Sequence, residues 1–280
     1  MTTPLADDLA PQLKAPTIHP TAVVHPSADI AAGVDIGPYA VIGENVILHA
    51  RVRVGPHAVV EFAEVGEGCQ IHASAFVGTA PQDLKYRGEQ TRVLLGPGCV
   101  VRECVTLNRG TAATGETRIG ARCLFMAYSH VAHDCILGSE VILANSVAVA
   151  GHVEIGDAAV LGGMVGLHQF VRVGKLAMIG AGAMVPLDIP PFMLAWGDRA
   201  HLNGLNLIGL RRRGYNTDII STLKQAYRDL FSTTQPIKNQ LARLSQAPSS
   251  EPVKELVQFL LNSTRGFCRP AQKDTPAVEA

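Results

Sequence analysis

The residues best suited to chemistry lie close together near the middle of the 280-residue chain. The stretch from Ser129 to Cys135 reads SHVAHDC, which places two histidines, an aspartate and a cysteine among apolar neighbours. Histidine and carboxylate side chains could bind a metal ion, or a histidine could act as a base with the carboxylate as its partner. They could also lie on a regular surface without a role, so the choice depends on the element that carries them.

A repeat of six residues runs through most of the chain. An aliphatic or aromatic residue returns at every sixth position from Ile119 to Val185, and the same phase runs from Ile18 to Val60. Hexapeptide repeats are typical of a parallel β-helix, in which three short strands close one triangular coil. The sequence therefore predicts a mainly β fold of this kind. The cysteines at small inward positions are predicted to be core thiols, and they are Cys69, Cys99, Cys123 and Cys135.

The coil length brings four histidines to one corner of the predicted solenoid. Residues three hexads apart stack in neighbouring coils about 4.8 Å apart, so side chains from three coils can converge within about 10 Å. The residues concerned are His130, His133, His152 and His168. Gly151 lies one coil beyond His133, so its backbone N–H can lie beside that imidazole. The pattern predicts a base next to a bare amide donor.

The repeat also divides the chain into regions. We expect an N-terminal arm over residues 1–17, the β-helix over 18–190, and a helical domain over 191–280, where apolar residues recur at helical spacing. Two polar segments, near 79–92 and 108–118, interrupt the repeat and are predicted to be loops that leave a coil. Loops on a rigid scaffold often carry function.

Charge and hydropathy exclude several classes of protein. Lys plus Arg and Asp plus Glu number 24 each, which argues against a nucleic-acid-binding protein. Charges interrupt every apolar stretch before about 18 residues, so no membrane-spanning helix is expected. The first residues lack the features of a secretory signal, and we predict a cytoplasmic location. The densest basic cluster, Arg211 to Arg213, is either a solvated turn or a phosphate-binding group.

Six motifs give the sequence a specific family resemblance, and in chain order they are PQDLKYRGE, LNRG, SHVAHDC, VAGHVEIG, GLHQF and GLRRRGY. From about Ile18 to Arg269 the chain resembles the UDP-N-acetylglucosamine 3-O-acyltransferases. The resemblance implies a left-handed parallel β-helix followed by a C-terminal α-helical domain, in a homotrimer with clefts between subunits. It also implies transfer of an (R)-3-hydroxyacyl group from acyl carrier protein to the 3-hydroxyl of UDP-N-acetylglucosamine, the first step of lipid A synthesis. No metal or cofactor is expected, since the acyl-phosphopantetheine arrives on the carrier protein as a co-substrate.

The resemblance further implies roles for individual residues in catalysis and substrate binding. His133 would be the general base, Asp134 its partner, and the Gly151 N–H the donor to the oxyanion. The residues expected to bind substrate are Asp83, Lys85, His130, His152, His168, Gln169, Asn206, Arg212 and Arg213. The last three of these would contact the nucleotide or its phosphates from a neighbouring subunit.

Three more residues receive roles from the same resemblance. Arg211 would contact the acidic carrier protein. Met178 and Ala181 fall where the acyl pocket ends, and some relatives have glycine at the position of Ala181. A methyl group there is expected to shorten the preferred acyl chain.

Other functions compete with this one. A zinc hydratase of the trimeric β-helix carbonic anhydrase type would use the histidines as ligands, but the sideways steps between them spread the ligands apart. A related N-acyltransferase of the same pathway carries an added N-terminal domain and lacks the combination of QDLKY with RRG. A non-catalytic scaffold would leave the convergence of histidines beside Gly151 unexplained.

Overall fold

The main body of the protein is a left-handed parallel β-helix, as the computed structural model of residues 14–232 and 235–271 shows. Three sheets form the faces of a triangular prism, and over residues 17–185 successive strands visit the first, second and third sheet in turn. The predicted fold class is confirmed. Most of the predicted N-terminal arm lies outside the described residues, and the first strand of the described part begins at Thr17.

The strands, numbered in chain order, are distributed among the three sheets. The first sheet contains β1 (Thr17–Ile18), β4 (Asp35–Ile36), β7 (Arg53–Val54), β10 (Gln70–Ile71), β13 (Val100–Val101), β16 (Leu124–Phe125), β19 (Ile142–Leu143), β22 (Val160–Leu161), β25 (Met178–Ile179), β27 (Met193–Trp196) and β28 (His201–Leu205). The second sheet contains β2 (Val23–Val24), β5 (Val41–Ile42), β8 (Val59–Val60), β11 (Phe76–Thr79), β14 (Thr106–Asn108), β17 (His130–Val131), β20 (Ala148–Val149), β23 (Gly166–Leu167) and β26 (Met184–Val185). The third sheet contains β3 (Asp29–Ile30), β6 (Ile47–Leu48), β9 (Ala63–Val65), β12 (Arg92–Leu95), β15 (Glu116–Ile119), β18 (Ile136–Leu137), β21 (Glu154–Ile155) and β24 (Arg172–Val173).

The coils stack in the register that the repeat predicts. Val131 pairs with Val149, and Val149 pairs with Leu167. These aliphatic side chains fill the interior of the prism and are buried. The four cysteines predicted as core thiols are also buried, at 1% exposure or less. Burial raises the pKa of the Cys135 thiol to about 12, so it is not a nucleophile at neutral pH.

The corners between strands are sharp because one residue in most of them is left-handed. At three stacked corners this residue is Asp134, His152 or Phe170, with φ of 60°, 61° and 63°. Aspartate and histidine tolerate this conformation better than most non-glycine residues do. Because each coil repeats the same turn, corner residues one coil apart lie above one another in columns.

Both polar excursions leave the solenoid at one edge, where the second sheet meets the third. The first loop, residues 80–91, joins β11 to β12, and the second, residues 109–115, joins β14 to β15. The SHVAHDC corner joins β17 to β18 and therefore lies at the same edge. We call these two loops together with corner residues 132–134, 150–152 and 168–170 the histidine edge.

The C-terminal region begins with strands and continues with helices. Strand β27 pairs with β25 and extends the first sheet, and β28 pairs antiparallel with β27. The helices that follow are α1 (Leu207–Arg212), α2 (Thr217–Phe231), α3 (Ile237–Gln246) and α4 (Glu251–Leu261). The helices thus begin later than the predicted boundary at residue 191, because residues 193–196 add a strand after the hexad pattern has ended. Among the described residues, no helix is long and apolar enough to cross a membrane.

Candidate active site

The histidine edge arranges its corner residues in three neighbouring columns. The columns are Ala132, Ala150 and His168, then His133, Gly151 and Gln169, then Asp134, His152 and Phe170. Three histidines from three coils thus occupy three different columns, which is the sideways shift that the hexads predict. The rings of His133 and His152 meet edge to face with centroids 5.1 Å apart.

The centre of the site is a hydrogen-bonded pair made by adjacent residues. His133 Nδ1 lies 2.7 Å from Asp134 Oδ2. The histidine is 9% exposed, whereas the side chain of the aspartate is wholly buried. A buried carboxylate needs several donors to remain charged, and this one receives them from the second loop.

Two threonines of that loop hold the Asp134 carboxylate. Thr111 donates to Oδ1 from its backbone N–H at 2.9 Å and to Oδ2 from its hydroxyl at 2.7 Å. The Thr114 hydroxyl donates to Oδ1 at 2.5 Å. Thr117 Oγ1 accepts the backbone N–H of Asp134 at 2.9 Å, which fixes the corner itself. We call Thr111 and Thr114 the threonine clamp.

The threonine clamp keeps the Asp134 carboxylate ionised, and the ionised carboxylate sets the tautomer of the His133 imidazole. Burial alone would raise the pKa of Asp134, but the hydrogen bonds from Thr114, Thr111 and His133 outweigh it and lower the pKa to about 2. The carboxylate is therefore ionised at neutral pH and can only accept. His133 must place its proton on Nδ1, which leaves Nε2 of the neutral ring free to take a proton.

Gly151 makes room for this imidazole. A Cβ built at Gly151 would lie 2.6 Å from Cε1 and 2.8 Å from Nε2 of His133. No real side chain fits at that distance, so the absence of one lets the ring lie against the backbone of the next coil. The Gly151 N–H makes no hydrogen bond to any described residue. The backbone of Gly151 therefore lies against the His133 ring, as the coil length predicts.

The other predicted histidines flank this pair. His152 stacks on Phe170, with centroids 4.6 Å apart, and its Nε2 lies 3.6 Å from Asp134 Oδ2. His130 lies on the outer face of β17, and its Nδ1 lies 2.7 Å from the Thr106 hydroxyl. Burial, and then repulsion from the His133 ring when that ring is protonated, lower the pKa of His130.

His168 and Gln169 form the exposed side of the edge. Arg265, from the segment after α4, lies with Nη2 2.8 Å from His168 Nδ1 and donates from Nε to Pro186 O at 2.7 Å. Arginine can only donate, so His168 Nδ1 is the acceptor. Through Arg265 the C-terminal region thus reaches the histidine edge.

Asp83 and Lys85 lie in the first loop on the same edge. Asp83 Oδ1 accepts the backbone N–H of Lys85 at 2.9 Å, which closes a tight turn. The side chain of Lys85 is exposed and has no polar partner among the described residues. The structure therefore brings both residues to the edge that carries His133.

The predicted nucleotide-binding residues lie elsewhere. Asn206 caps α1 by accepting the Gly209 N–H at 3.0 Å and joins it to the solenoid by donating to Leu176 O at 2.9 Å. Arg213 pairs with Glu140, which lies at the edge between the third and first sheets. Arg211 and Arg212 are exposed, without polar side-chain partners among the described residues. Within one chain these groups do not meet His133.

The predicted acyl-pocket residues also lie away from the histidine edge. Met178 is in β25 of the first sheet, and Ala181 is exposed at the corner that leads to the second sheet. A Cβ at Gly162 would lie 2.6 Å from Ala181 N, so consecutive coils are in close contact there. Ala181 therefore presents its methyl group at a different edge from His133 and fewer than three coils further along the solenoid.

Sequence reasoning missed the threonine clamp, Phe170, Arg109 and Arg265. The polar composition of the second loop indicates a functional excursion, but nothing in the hexad pattern fixes which of its hydroxyls reaches Asp134. Phe170 could have been found, because it lies one coil beyond His152. Arg265 could not, because it belongs to a segment without periodicity.

The donor set also meets one condition for a metal site. His133, Asp134 and His152 offer ligand atoms within 4.8 Å of one another. Two ligands of a tetrahedral zinc ion, each about 2.0–2.1 Å from the metal, lie about 3.3 Å apart. The 2.7 Å between His133 Nδ1 and Asp134 Oδ2 is shorter and fits a shared proton instead. These two atoms therefore fit a hydrogen-bonded pair rather than two ligands of one zinc ion.

Two family models match the chain. One, described as Udp N-acetylglucosamine O-acyltransferase, Domain 2, covers residues 188–268. The other, described as bacterial transferase hexapeptide (six repeats), covers residues 116–151, which include the SHVAHDC corner. The hexapeptide match lies within the solenoid, and the other match begins just after β26.

Curated proteins and solved structures are similar over nearly the full length. An acyl-[acyl-carrier-protein]--UDP-N-acetylglucosamine O-acyltransferase of Thiobacillus denitrificans is 45% identical over 256 residues, 90% of this chain and 99% of that protein. The protein of the same name from Campylobacter concisus is 42% identical over 253 residues, 89% of this chain and 96% of its own. The structure of a UDP-N-acetylglucosamine acyltransferase from Bacteroides fragilis superposes with a TM-score of 0.88 at 37% identity, covering 90% of this chain and all of that one.

Proposed function

Because the chain belongs to the UDP-N-acetylglucosamine O-acyltransferase family, we propose that it transfers an (R)-3-hydroxyacyl chain from acyl carrier protein to the 3-hydroxyl of UDP-N-acetylglucosamine, the first step of lipid A synthesis. The observation that carries the mechanism is the His133–Asp134 pair against Gly151. A cytoplasmic location and the absence of a cofactor are parts of the same proposal.

The first chemical step is attack of the sugar hydroxyl on the thioester. A hydroxyl is a poor nucleophile until its proton is removed, and His133 Nε2 takes that proton as the oxygen attacks the thioester carbon. Asp134, held ionised by the threonine clamp, keeps Nδ1 protonated and stabilises the imidazolium that forms. The Gly151 N–H donates to the oxyanion that develops on the former carbonyl oxygen.

The second step is collapse of the tetrahedral intermediate. The carbon–sulfur bond breaks, and the phosphopantetheine sulfur takes the proton that His133 Nε2 holds. The ester remains on the sugar, and the imidazole returns to its neutral form. No acyl-enzyme is needed, because the attacking and leaving groups meet at one base.

We propose that the working form is a homotrimer in which a neighbouring subunit completes the cleft. The support is the location of Arg211, Arg212 and Arg213, which a single chain holds at a different edge from His133. The side chains of Arg211 and Arg212 remain available for phosphate groups or for an acidic carrier protein. Asp83 and Lys85 would contact the sugar at the histidine edge.

The test of this function is a transfer assay on the purified protein. UDP-N-acetylglucosamine is incubated with 3-hydroxyacyl carrier proteins of several chain lengths, with and without EDTA, and acylated sugar nucleotide is measured. We expect product in both conditions. No product at any chain length would contradict the function, and product that disappears with EDTA would favour a metal-dependent mechanism.

A further inference from the structure

A buried arginine, Arg109, lies where both loops of the histidine edge meet the solenoid. It belongs to the LNRG motif and is 8% exposed. Its Nη1 donates to Gly78 O at 2.7 Å and to Glu61 Oε1 at 3.0 Å. Its guanidinium carbon lies 4.4 Å from the centre of the Phe62 ring. The charge is therefore paired and packed, as a buried charge must be.

A third contact ties Arg109 to the first loop. Arg109 Nε donates to the Tyr86 hydroxyl at 3.0 Å, and that hydroxyl donates onward to Glu89 O at 2.8 Å. Tyr86 also donates its backbone N–H to Asp83 O at 3.0 Å, and Lys85 N–H donates to Asp83 Oδ1. The side chain of Tyr86 thus anchors the turn that presents Asp83 and Lys85.

The same arginine begins the second loop. Arg109 N–H donates to Thr79 O at 3.1 Å, and two residues later Thr111 holds Asp134 through two hydrogen bonds. Only glycine fits at position 110, because a Cβ there would lie 2.4 Å from Glu116 N. The short backbone from Arg109 to Thr111 leaves little freedom between the guanidinium and the clamp.

We propose that Arg109 is a positioning residue that fixes the first loop, with Asp83 and Lys85, at a set place relative to the His133–Asp134 pair. This inference rests on the proposed function, because it assigns the loop to the sugar nucleotide. Arginine suits the task because its planar group donates in several directions at once, to Gly78, Glu61 and Tyr86. Lysine has one flexible ammonium group and cannot make the three contacts in this geometry.

Two variants separate positioning from general support. Arg109→Lys keeps the positive charge but loses the planar guanidinium group with its several donors. Tyr86→Phe keeps the aromatic ring but loses the hydroxyl that accepts from Arg109 Nε. The matched control is Arg118→Lys, because Arg118 is exposed and pairs with Glu116 on the outer face of β15. Thermal unfolding of each variant identifies any that fail to fold.

The first measurement needs no substrate and uses hydrogen exchange of the backbone amides of Lys85 and Tyr86. We expect exchange about tenfold faster in both variants and unchanged in Arg118→Lys, since loss of the anchor lets the turn open. Unchanged exchange in both variants would overturn the proposal. Because this readout is independent of turnover, it remains decisive even if the wild-type protein forms no acylated sugar and the proposed function fails.

The second measurement is steady-state kinetics. We expect the KM for UDP-N-acetylglucosamine to rise about tenfold in both variants, because the loop that binds the sugar nucleotide is misplaced. The KM for the acyl carrier protein should stay the same. Arg118→Lys should keep wild-type values. A fall in kcat with no change in the KM for the sugar nucleotide, in Tyr86→Phe and Arg109→Lys alike, would overturn the positioning role.

Discussion

Replacement of Gly151 by alanine tests whether the bare backbone beside His133 is needed for the base. The new methyl carbon would lie 2.6 Å from His133 Cε1, whereas an ordinary carbon–carbon contact is about 3.5 Å. The ring would have to retreat by about 0.9 Å, the difference between these distances. Such a movement is enough to take the 2.7 Å contact between His133 Nδ1 and Asp134 Oδ2 beyond hydrogen-bonding range.

The expected effect is on rate more than on stability. A misplacement of about 1 Å costs on the order of 10²-fold in rate, which corresponds to about 2.7 kcal/mol of activation free energy. The backbone of Gly151 is not in the left-handed region, so alanine adds no conformational strain there. Overpacking of a well-packed site costs about 1–3 kcal/mol of unfolding free energy. We expect the long solenoid to remain folded after a loss of this size.

The assay compares kcat for Gly151→Ala with kcat for a matched corner variant. Gly163 occupies the same place in its corner, but a Cβ there would meet only Asn145 O, at 3.4 Å. We expect Gly163→Ala to keep wild-type kcat and Gly151→Ala to lose about 10²-fold, with both variants folded by circular dichroism. Wild-type kcat in folded Gly151→Ala would refute the assigned fit between Gly151 and His133.

Two further predictions concern acid stability and chain length. The pKa of Asp134 is lowered from 3.8 to about 2, so its ionised form stabilises the fold by about 2 kcal/mol, a contribution present above pH 4 and lost as the pH falls through 2. In urea unfolding between these pH values, Asp134→Asn should lose less unfolding free energy on acidification than the wild type does, and equal losses would contradict the role of the threonine clamp. Ala181→Gly should shift the preferred acyl chain to greater length in competition assays, because a methyl group is removed from the proposed end of the acyl pocket. The control Ala127→Gly, in the same corner column three coils earlier, should leave the preferred length unchanged. An unchanged preferred length in Ala181→Gly would show that Ala181 does not line the pocket.

The periodicity explains why so much of the site could be predicted. Once a coil has a fixed length, the column of a corner residue follows from its place in the hexad, which is why the sequence alone predicts that His133, Gly151 and His152 converge. The same rule predicts the buried cysteines. The handedness of the coil came from the family resemblance, since the repeat is compatible with either hand.

The remaining features depend on contacts that have no period. Thr111 and Thr114 reach Asp134 because of the path of one loop, and that path is set by anchors such as Arg109. Arg213 lies at another edge because α1 packs there and Glu140 offers a partner. Strand β27 was missed because hydrogen bonding to β25 overrides the local sequence pattern.

The most direct test of the central claim is the effect of His133→Ala on acyl transfer. The carboxylate of Asp134 would retain its three donors from the threonine clamp, so the variant should keep the wild-type fold and melting temperature. We predict that kcat falls by about 10²–10⁴-fold, as expected for loss of a general base. A folded His133→Ala protein that transfers the acyl chain at the wild-type rate would contradict the mechanism.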